Sequence, residues 1–221
     1  MLKIVIFDGG YGGEFFADYL GDMLPMIEII RVIDWRNAEQ LLKSAKKARM
    51  IAEKALRPYL ERVDLIIFAN HLLSLTSLGF FSRKYKKQKF LGMELKRPDT
   101  FIKKKTLVLT TKAVAKTAAY HNFILKLKKK TKTLAIDSWP NKIDDGELTN
   151  EEIKVTLISF LDKKGFCPEE IILACSQFND IKEELRRFFG RHVPIYDSYN
   201  DTVVKVCKIL KIRGRLGKRK K

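Results

Sequence analysis

Two stretches decide the fold of this chain: KIVIFDGGYGG at Lys3–Gly13 and EIILACSQFNDIKEELRRFFGRHVPIYDS at Glu170–Ser198. Each opens with a short apolar run of the kind that forms a buried β-strand. The first run ends at Asp8 and the second is followed directly by Cys175. A carboxylate and a thiol therefore stand at the carboxyl ends of two predicted strands, where ligands gather in parallel α/β sheets.

Four glycines surround the turn after Asp8: Gly9, Gly10, Gly12 and Gly13. Glycine allows a tight strand-to-helix turn and a close approach of the backbone to an anionic ligand. The spacing matches neither the dinucleotide-binding nor the P-loop pattern, so neither kind of site is predicted. The geometry of a helix start alone would also explain these glycines, and both interpretations stay open.

Short apolar runs recur along the whole chain and alternate with longer stretches of helical periodicity. The predicted strands are Ile4–Phe7, Ile29–Ile33, Asp64–Ala69, Phe90–Met93, Leu107–Thr110, Leu134–Ile136, Ile171–Ala174 and Val193–Tyr196. The predicted helices include Glu39–Leu60, Val114–Leu127, Glu151–Lys164, Ile181–Phe189 and Thr202–Ile212. This alternation predicts an α/β protein with mostly parallel sheets.

Capping residues predict the boundaries of two helices. Thr149 is expected to cap the helix that begins near Glu151, and Gly165 is expected to end it. Asn179 is expected to cap the helix that stops at Gly190.

The composition indicates a globular protein. The chain has 221 residues and is 46% hydrophobic, so it can bury a substantial core in one large domain or two lobes. No apolar run reaches the roughly 18 residues that a membrane span needs. No secretory signal is visible, and we expect a soluble cytoplasmic protein.

Three cysteines, Cys167, Cys175 and Cys207, form no CxxC pair and no metal-binding spacing with histidine. Structural disulfides and a zinc site are therefore not expected. Cys167 and Cys207 are interpreted as packing residues. Cys175 precedes a predicted helix N-terminus, which would lower the pKa of its thiol.

The formal net charge of +18 comes from clusters of basic residues at Arg83–Lys89, Lys103–Lys105, Lys126–Lys132 and Lys208–Lys221. Such clusters attract nucleic acid through counterion release. Lysine lacks the bidentate fork with which arginine recognises phosphate, so a solvated surface is the favoured interpretation. Any nucleic-acid binding is expected to be weak and non-specific. Residues 213–221 are expected to form a disordered basic tail.

Further polar residues stand at the ends of predicted strands and predict a ligand pocket there. They are Asp34, Asn70, His71, Thr110, Thr111, Ser176 and Asp197. The same residue types also cap helices. For Asp34 and Asp197, capping is the favoured interpretation.

The two opening stretches resemble the first and last motifs of the glutamate racemase branch of the aspartate/glutamate racemase superfamily. That family opens with strand-Asp-Ser-Gly-x-Gly-Gly and carries a late Leu-Gly-Cys-Thr-His-(Tyr/Phe)-Pro block, followed by a helix and a strand ending Ile-Asp-Ser. The matching residues here are Asp8, Gly10, Gly12, Gly13, Cys175, Phe178, Asp197 and Ser198.

The resemblance implies two pseudo-symmetric α/β lobes, each a mostly parallel sheet flanked by helices, with a cleft between them. The first lobe is expected to comprise residues 1–91 plus 190–212, and the second residues 92–189. Asp8 and Cys175 are expected to face the cleft from opposite lobes.

The resemblance also implies removal and return of an α-proton by two cysteines, without a cofactor or a metal. Cys175 is the second of these, whereas Ala69 stands in the place of the first. His71 could be a substitute base that Asp8 orients, whereas a hydrogen-bonded structural histidine is the favoured interpretation. Gln177 replaces the histidine that assists the second thiol. Substrate contacts are expected from Gly9, Gly10, Asn70, Thr111 and Ser176.

Other positions depart from the family pattern. Gly9 replaces the serine of the opening motif, and Trp35–Glu39 replaces a Pro-Tyr-Gly substrate loop. Thr111 and Tyr120 are retained from a Thr/Tyr segment in which Val114 replaces a second threonine.

The predicted function is that of a glutamate racemase-like isomerase that supplies D-glutamate for peptidoglycan and cell shape, or of a degenerate member with reduced activity. Its ligand would be a small amino acid or a dicarboxylate. One alternative is a one-cysteine decarboxylase or isomerase of the same superfamily. Another is a non-catalytic protein that binds nucleic acid or an acidic partner through its basic surface. The sequence is compatible with a homodimer and does not fix the oligomeric state.

Overall fold

The structure, a computed structural model, describes residues 1–95, 104–127 and 130–212. The strands are β1 (Lys3–Asp8), β2 (Glu28–Ile33), β3 (Leu65–Phe68), β4 (Phe90–Gly92), β5 (Thr106–Thr110), β6 (Thr131–Ala135), β7 (Glu170–Ala174) and β8 (Ile195–Tyr196). The α-helices are α1 (Tyr11–Met23), α2 (Ala38–Lys43), α3 (Ala45–Leu56), α4 (His71–Lys84), α5 (Lys112–Ala115), α6 (Ala118–Leu127), α7 (Ser138–Asp144), α8 (Asn150–Lys164), α9 (Lys182–Phe189) and α10 (Tyr199–Leu210). Every predicted strand is present.

The chain forms two compact units, Met1–Glu94 with the chain from Ser198 onward, and Leu95–Asp197. The second unit ends later than predicted, because β8 pairs in parallel with β7 through Ile171 and Ile195. Residues 190–197 therefore belong with the second sheet and not with the first. The predicted tail at 213–221 lies outside the described residues.

The first unit contains a parallel sheet of order β2-β1-β3-β4. Alternate residues of β1 enter two different cores, because successive side chains of a strand point to opposite faces. Ile4 and Ile6 pack with residues of α1 and α10, and Val5 and Phe7 pack with residues of α3 and α4. Helices therefore cover both faces of this sheet, as the α/β prediction requires.

Helix α10 is attached to the first unit through Tyr199. The Tyr199 ring packs edge-on against Phe16 of α1, with 5.1 Å between ring centroids. Its hydroxyl donates a hydrogen bond to the Gly12 carbonyl at 3.4 Å. Val203 and Val206 of the same helix are fully buried in the core that contains β1.

The second unit contains a parallel sheet of order β6-β5-β7-β8, the same relative order as in the first unit. Its core includes Leu109 of β5, Leu157 of α8 and Trp139 of α7. Trp139 packs edge-on against Phe178 at 5.7 Å. The predicted class, two α/β lobes that each contain a parallel sheet flanked by helices, is confirmed.

Two predicted helices are interrupted. The stretch Glu39–Leu60 breaks at Ser44, which is extended and whose hydroxyl accepts the Lys47 N–H at 3.2 Å to start α3. The stretch Val114–Leu127 breaks before α6, where Thr117 Oγ1 accepts the Tyr120 N–H at 3.1 Å. In both places a short hydroxyl side chain replaces a missing helical hydrogen bond and begins a new helix.

The predicted ends of α8 are confirmed. Thr149 Oγ1 accepts the Glu152 N–H at 3.2 Å, and Gly165 ends the helix with a φ of 53°. The capping prediction for Asn179 is wrong, because this residue ends a 3-10 turn, Gln177–Asn179, and its amide donates to the Ser176 carbonyl at 3.0 Å. Helix α9 begins only at Lys182.

Of the two cysteines interpreted as packing residues, Cys207 is buried in the first core, whereas Cys167 is exposed. The packing interpretation of Cys167 is therefore wrong. Within residues 1–95, 104–127 and 130–212, no helix is long and apolar enough to cross a membrane.

Candidate active site

Asp8 ends β1 and is only 1% exposed. Its Oδ1 atom accepts the N–H of the next residue, Gly9, at 2.6 Å, and the side-chain amide of Asn70 at 3.1 Å. Two donors therefore hold this carboxylate in one orientation at the carboxyl edge of the first sheet. The prediction that Asp8 and Asn70 belong to one group is supported by this contact.

Asn70 has two structural roles, because it also caps α4. Its Oδ1 atom accepts the Leu73 N–H at 3.1 Å. Since the oxygen is engaged by the helix, the amide nitrogen is the atom that faces Asp8. Asn70 thus links the end of β3 to the end of β1 and fixes the start of the helix that carries His71.

His71 is the first residue of α4 and is only 2% exposed. It lies directly after Asn70, whose side-chain amide donates to the Asp8 carboxylate. The predicted orientation of the imidazole by Asp8 stays a prediction. Ala69 is fully buried, and its N–H donates to the Phe7 carbonyl at 2.9 Å.

Close packing explains two of the four opening glycines. A Cβ atom on Gly13 would lie 2.4 Å from Asp8 Cβ, and one on Gly9 would lie 2.6 Å from Leu41 Cδ1 and 3.3 Å from Ala38 Cα. Gly10 precedes α1 in an extended conformation that other residues also adopt. Helix α1 therefore approaches Asp8 as closely as it does because Gly13 lacks a side chain. Ligand contacts of Gly9 and Gly10 stay predictions.

The favoured capping interpretation of Asp34 and Asp197 needs correction. Asp34 precedes a 3-10 turn, Trp35–Asn37, without a side-chain capping bond, and both of its oxygens accept from the Asn37 amide at 2.9–3.0 Å. Asp197 is buried and forms an ion pair with Lys182. The residue at the N-cap position of α10 is Ser198.

Thr111 lies in the second unit, at the carboxyl end of β5. Its hydroxyl caps the short helix α5 by accepting the Val114 N–H at 3.4 Å. Thr110 and Ala174 are partners in the sheet register, so Thr111 and Cys175 leave neighbouring strands at the same edge. The structure therefore places Thr111 and Cys175 in one neighbourhood, as the strand-end prediction requires.

Tyr120 is buried, and its hydroxyl lies 2.7 Å from Thr133 Oγ1 of β6. Burial raises the pKa of Tyr120 to about 12. The side chain is therefore a neutral phenol near neutral pH, which fits a structural role better than a role in proton transfer.

Cys175 follows β7 directly and is only 7% exposed. Its Sγ atom lies 3.1 Å from Gln177 Oε1, and the hydroxyl of Ser176 lies 3.2 Å from the same oxygen. The residues after Cys175 form a 3-10 turn and not the start of an α-helix, so the predicted stabilisation of a thiolate by a helix N-terminus is wrong. Cys175 instead faces a carbonyl-type oxygen.

Asp144, at the end of α7, joins this group and was missed by sequence reasoning. Burial raises the pKa of Asp144 to about 6, and an interaction with the Gln177 side chain opposes part of that rise. No motif links the two residues, since only the packing of α7 against the 3-10 turn brings them together.

The candidate residues thus fall into two groups. The first unit holds Asp8, Gly9 and Asn70, with His71 next in the chain. The second holds Cys175, Ser176, Gln177 and Asp144, with Thr111 at the same sheet edge. Within the described residues, no set of three or more histidine, cysteine or acidic side chains could bind a metal ion.

Comparison with known proteins shows similarity to glutamate racemases over most of the chain. Glutamate racemase of Clostridium botulinum is 25% identical over 203 residues, which cover 88% of this chain and 78% of that protein. Glutamate racemase of Clostridium novyi is 23% identical over 218 residues, which cover 95% and 83% of the respective chains. No family model matches the sequence.

Solved structures share the fold. Escherichia coli glutamate racemase, in complex with L-glutamate and the activator UDP-MurNAc-Ala, has a TM-score of 0.80 at 18% identity and covers 100% of this chain and 86% of its own. Francisella tularensis glutamate racemase, in complex with D-glutamate, has a TM-score of 0.77 at 18% identity. The match covers 95% of this chain and 81% of that structure. Picrophilus torridus aspartate racemase has a TM-score of 0.63 at 14% identity and covers 96% of both chains.

Proposed function

We propose that this chain, which is glutamate racemase-like and has the fold of the aspartate/glutamate racemase superfamily, is a cofactor-independent amino-acid racemase. The observation that carries the proposal is the buried, hydrogen-bonded thiol of Cys175 at the end of β7. It occupies the position of the second thiol in the family motif. The proposed ligand is a small dicarboxylic amino acid, since the Escherichia coli and Francisella tularensis relatives bind L- and D-glutamate.

Racemisation requires one proton-transfer group on each face of the substrate α-carbon. Ala69 cannot fill this role in the first unit, so we assign it to His71, with Asn70 and Asp8 fixing the start of its helix. The imidazole takes the α-proton while the electron pair passes into the substrate carboxylate. The Cys175 S–H then gives its proton to the opposite face, which leaves a thiolate and an imidazolium. After product release, proton exchange with solvent water restores the neutral imidazole and the thiol, and the reverse reaction uses the thiolate as base and the imidazolium as acid.

We expect this reaction to be slower than in relatives that use two thiols. Removing one general acid or base commonly lowers a rate by about 10²–10⁴-fold, which is the upper bound on the loss if His71 replaces the missing thiol. The proposed biological role is the supply of D-glutamate for peptidoglycan in the cytoplasm.

The two alternatives from sequence are less favoured. Similarity to glutamate racemases extends over 88% and 95% of the chain in the two sequence relatives. Because both sequence relatives are glutamate racemases, this similarity favours the racemase reaction over decarboxylation and over nucleic-acid binding alone.

Circular dichroism of the protein with D- and L-glutamate and with D- and L-aspartate tests the proposal. We expect slow loss of optical activity, abolished by Cys175→Ala and strongly reduced by His71→Ala. Cys167→Ala is the matched control, because this thiol lies in the same unit but is exposed. Turnover that persists in both Cys175→Ala and His71→Ala would show that the reaction occurs elsewhere. No turnover and no solvent deuterium exchange with any of the four substrates would contradict the proposal.

A further inference from the structure

The side-chain amide of Gln177 connects Cys175 with Asp144. Its oxygen lies 3.1 Å from Cys175 Sγ and 3.2 Å from Ser176 Oγ. The same side chain also interacts with the half-buried carboxyl group of Asp144. One planar group thus contacts a candidate catalytic thiol and interacts with a carboxyl group.

Asp144 determines which way the amide points. An amide could in general present either its oxygen or its nitrogen to the sulfur. A carboxylate only accepts hydrogen bonds, so Asp144 takes an N–H of Gln177. The oxygen is then left for the thiol and the Ser176 hydroxyl, both of which can donate.

This orientation favours one protonation state of Cys175. A thiol donates a hydrogen bond to the Gln177 oxygen, whereas a thiolate would face a partial negative charge at the same distance. Hydrogen bonding to the neutral form of an acid disfavours its charged form. We propose that Gln177, oriented by Asp144, is a positioning residue that holds Cys175 as a protonated thiol, so that Cys175 acts as the proton donor of the reaction. The donor role rests on the proposed racemase function, whereas the protonation state does not.

The charges around the amide act in the same direction. The titratable groups that interact electrostatically with Asp144 are Asp145 and Asp180, and both are acidic. Asp180 is more exposed, so solvent screens its charge more strongly. The lysines on the adjoining helices are engaged elsewhere, Lys142 with Glu152 at 2.7 Å and Lys182 with Asp197.

The protonation state can be measured without any substrate. Alkylation of the intact protein by iodoacetamide is followed across pH 6–10 (about the range in which thiols titrate), and the peptides that contain Cys175 and Cys167 are quantified separately. The midpoint of each profile reports the pH at which the thiol ionises. The absolute rate does not, because burial slows the access of iodoacetamide to the sulfur. We expect Cys175 to titrate at a higher pH than the exposed Cys167 of the same chain.

Burial alone would also raise the midpoint of Cys175, so variants must separate the two causes. Asp144→Ala frees the amide to turn its N–H towards sulfur, and we expect the midpoint to fall by about one pH unit. In the Gln177→Met background the same change should shift the midpoint much less, because only the charge of Asp144 is then removed. Asp145→Ala is the matched control, since it removes a neighbouring charge without touching the amide.

Two results would overturn the inference. One is a Cys175 midpoint at or below that of Cys167 in the unmodified protein, which needs no variant to fold. The other is an equal effect of Asp144→Ala with and without Gln177. If the midpoints behave as expected but no amino acid is inverted, the racemase proposal fails while the role of Gln177 stands.

Discussion

The amide nitrogen of Asn70 lies 3.1 Å from Asp8 Oδ1, so the residue that caps α4 also holds the carboxylate at the end of β1. The stability of this helix start and the orientation of Asp8 therefore depend on one side chain. A change at Asn70 should affect both.

Asn70→Ala should destabilise the protein by about 1–2 kcal/mol from the cap, with a further loss of about 1 kcal/mol from the bond to Asp8. Thr149→Ala removes the cap of α8 alone and is the control. Asn70→Asp should keep the cap but place a second carboxylate beside Asp8. Urea unfolding measures all three variants, and an equal cost for Asn70→Ala and Thr149→Ala would refute the double role.

Gly13→Ala should destabilise the protein by about 1–3 kcal/mol, because the new Cβ would lie 2.4 Å from Asp8 Cβ. Gly21→Ala tests the same substitution in the same helix, where the nearest atom lies 3.6 Å away. That variant should be unchanged or more stable by up to about 1 kcal/mol, since alanine favours helix. Chemical denaturation compares the two, and a tolerated Gly13→Ala would contradict the close approach.

Asp144→Asn should increase stability at neutral pH and not at acidic pH. Burial raises the pKa of Asp144 from 3.8 to about 6, so the folded protein holds this proton more tightly than the unfolded chain. In the unmodified protein, the stability that protonated Asp144 contributes is fully present below about pH 4 and is lost as the pH rises through about 6. Melting temperatures from pH 4 to pH 8 test this. A gain in melting temperature from Asp144→Asn that is largest at acidic pH would contradict the predicted direction of the pH dependence.

Ala69→Cys combined with Gln177→His should raise the rate of inversion more than either change alone. The first change supplies a thiol in the first unit, and the second supplies an imidazole that can carry the proton of Cys175. Steady-state circular dichroism with both enantiomers of glutamate measures the effect as a double-mutant cycle. A double variant that is no faster than the better single variant would contradict this prediction.

Nucleic-acid binding, if it is measured, should fall steeply with salt and show no sequence preference. The chain carries a net charge of +18, and lysine clusters act through phosphate charge. Deleting the chain from Ile212 onward should also weaken the binding. Fluorescence anisotropy with unrelated oligonucleotides tests this, and affinity that survives about 0.5 M salt would contradict it.

The strands were predictable because buried parallel strands read as continuous apolar runs bounded by turn residues. Helix α4 was not predicted, because its sequence, HLLSLTSLGFFSRK, lacks a clear polar face. Helix α7 is short and contains Pro140, which obscures its pattern. These helices become evident only from their packing.

At the candidate site, the family motifs identified Asp8, Asn70 and Cys175 correctly as residues at strand ends. They could not identify Asp144, because its contact with Gln177 depends on how α7 packs against a 3-10 turn. They also misjudged the turn after Cys175, since a 3-10 turn and the first turn of an α-helix share the same sequence signals.

The attachment of α10 to the first unit affects how the protein folds during its synthesis on the ribosome. Leu95–Asp197 is one uninterrupted segment, whereas the first unit needs Tyr199 and Val203 from near the end of the chain to cover Phe16. Domains generally fold as units during synthesis, beginning with the part that has emerged completely. The segment that carries Cys175 is therefore complete before the core beside Asp8 can close, and a nascent chain that stalls before α10 would expose that core to aggregation.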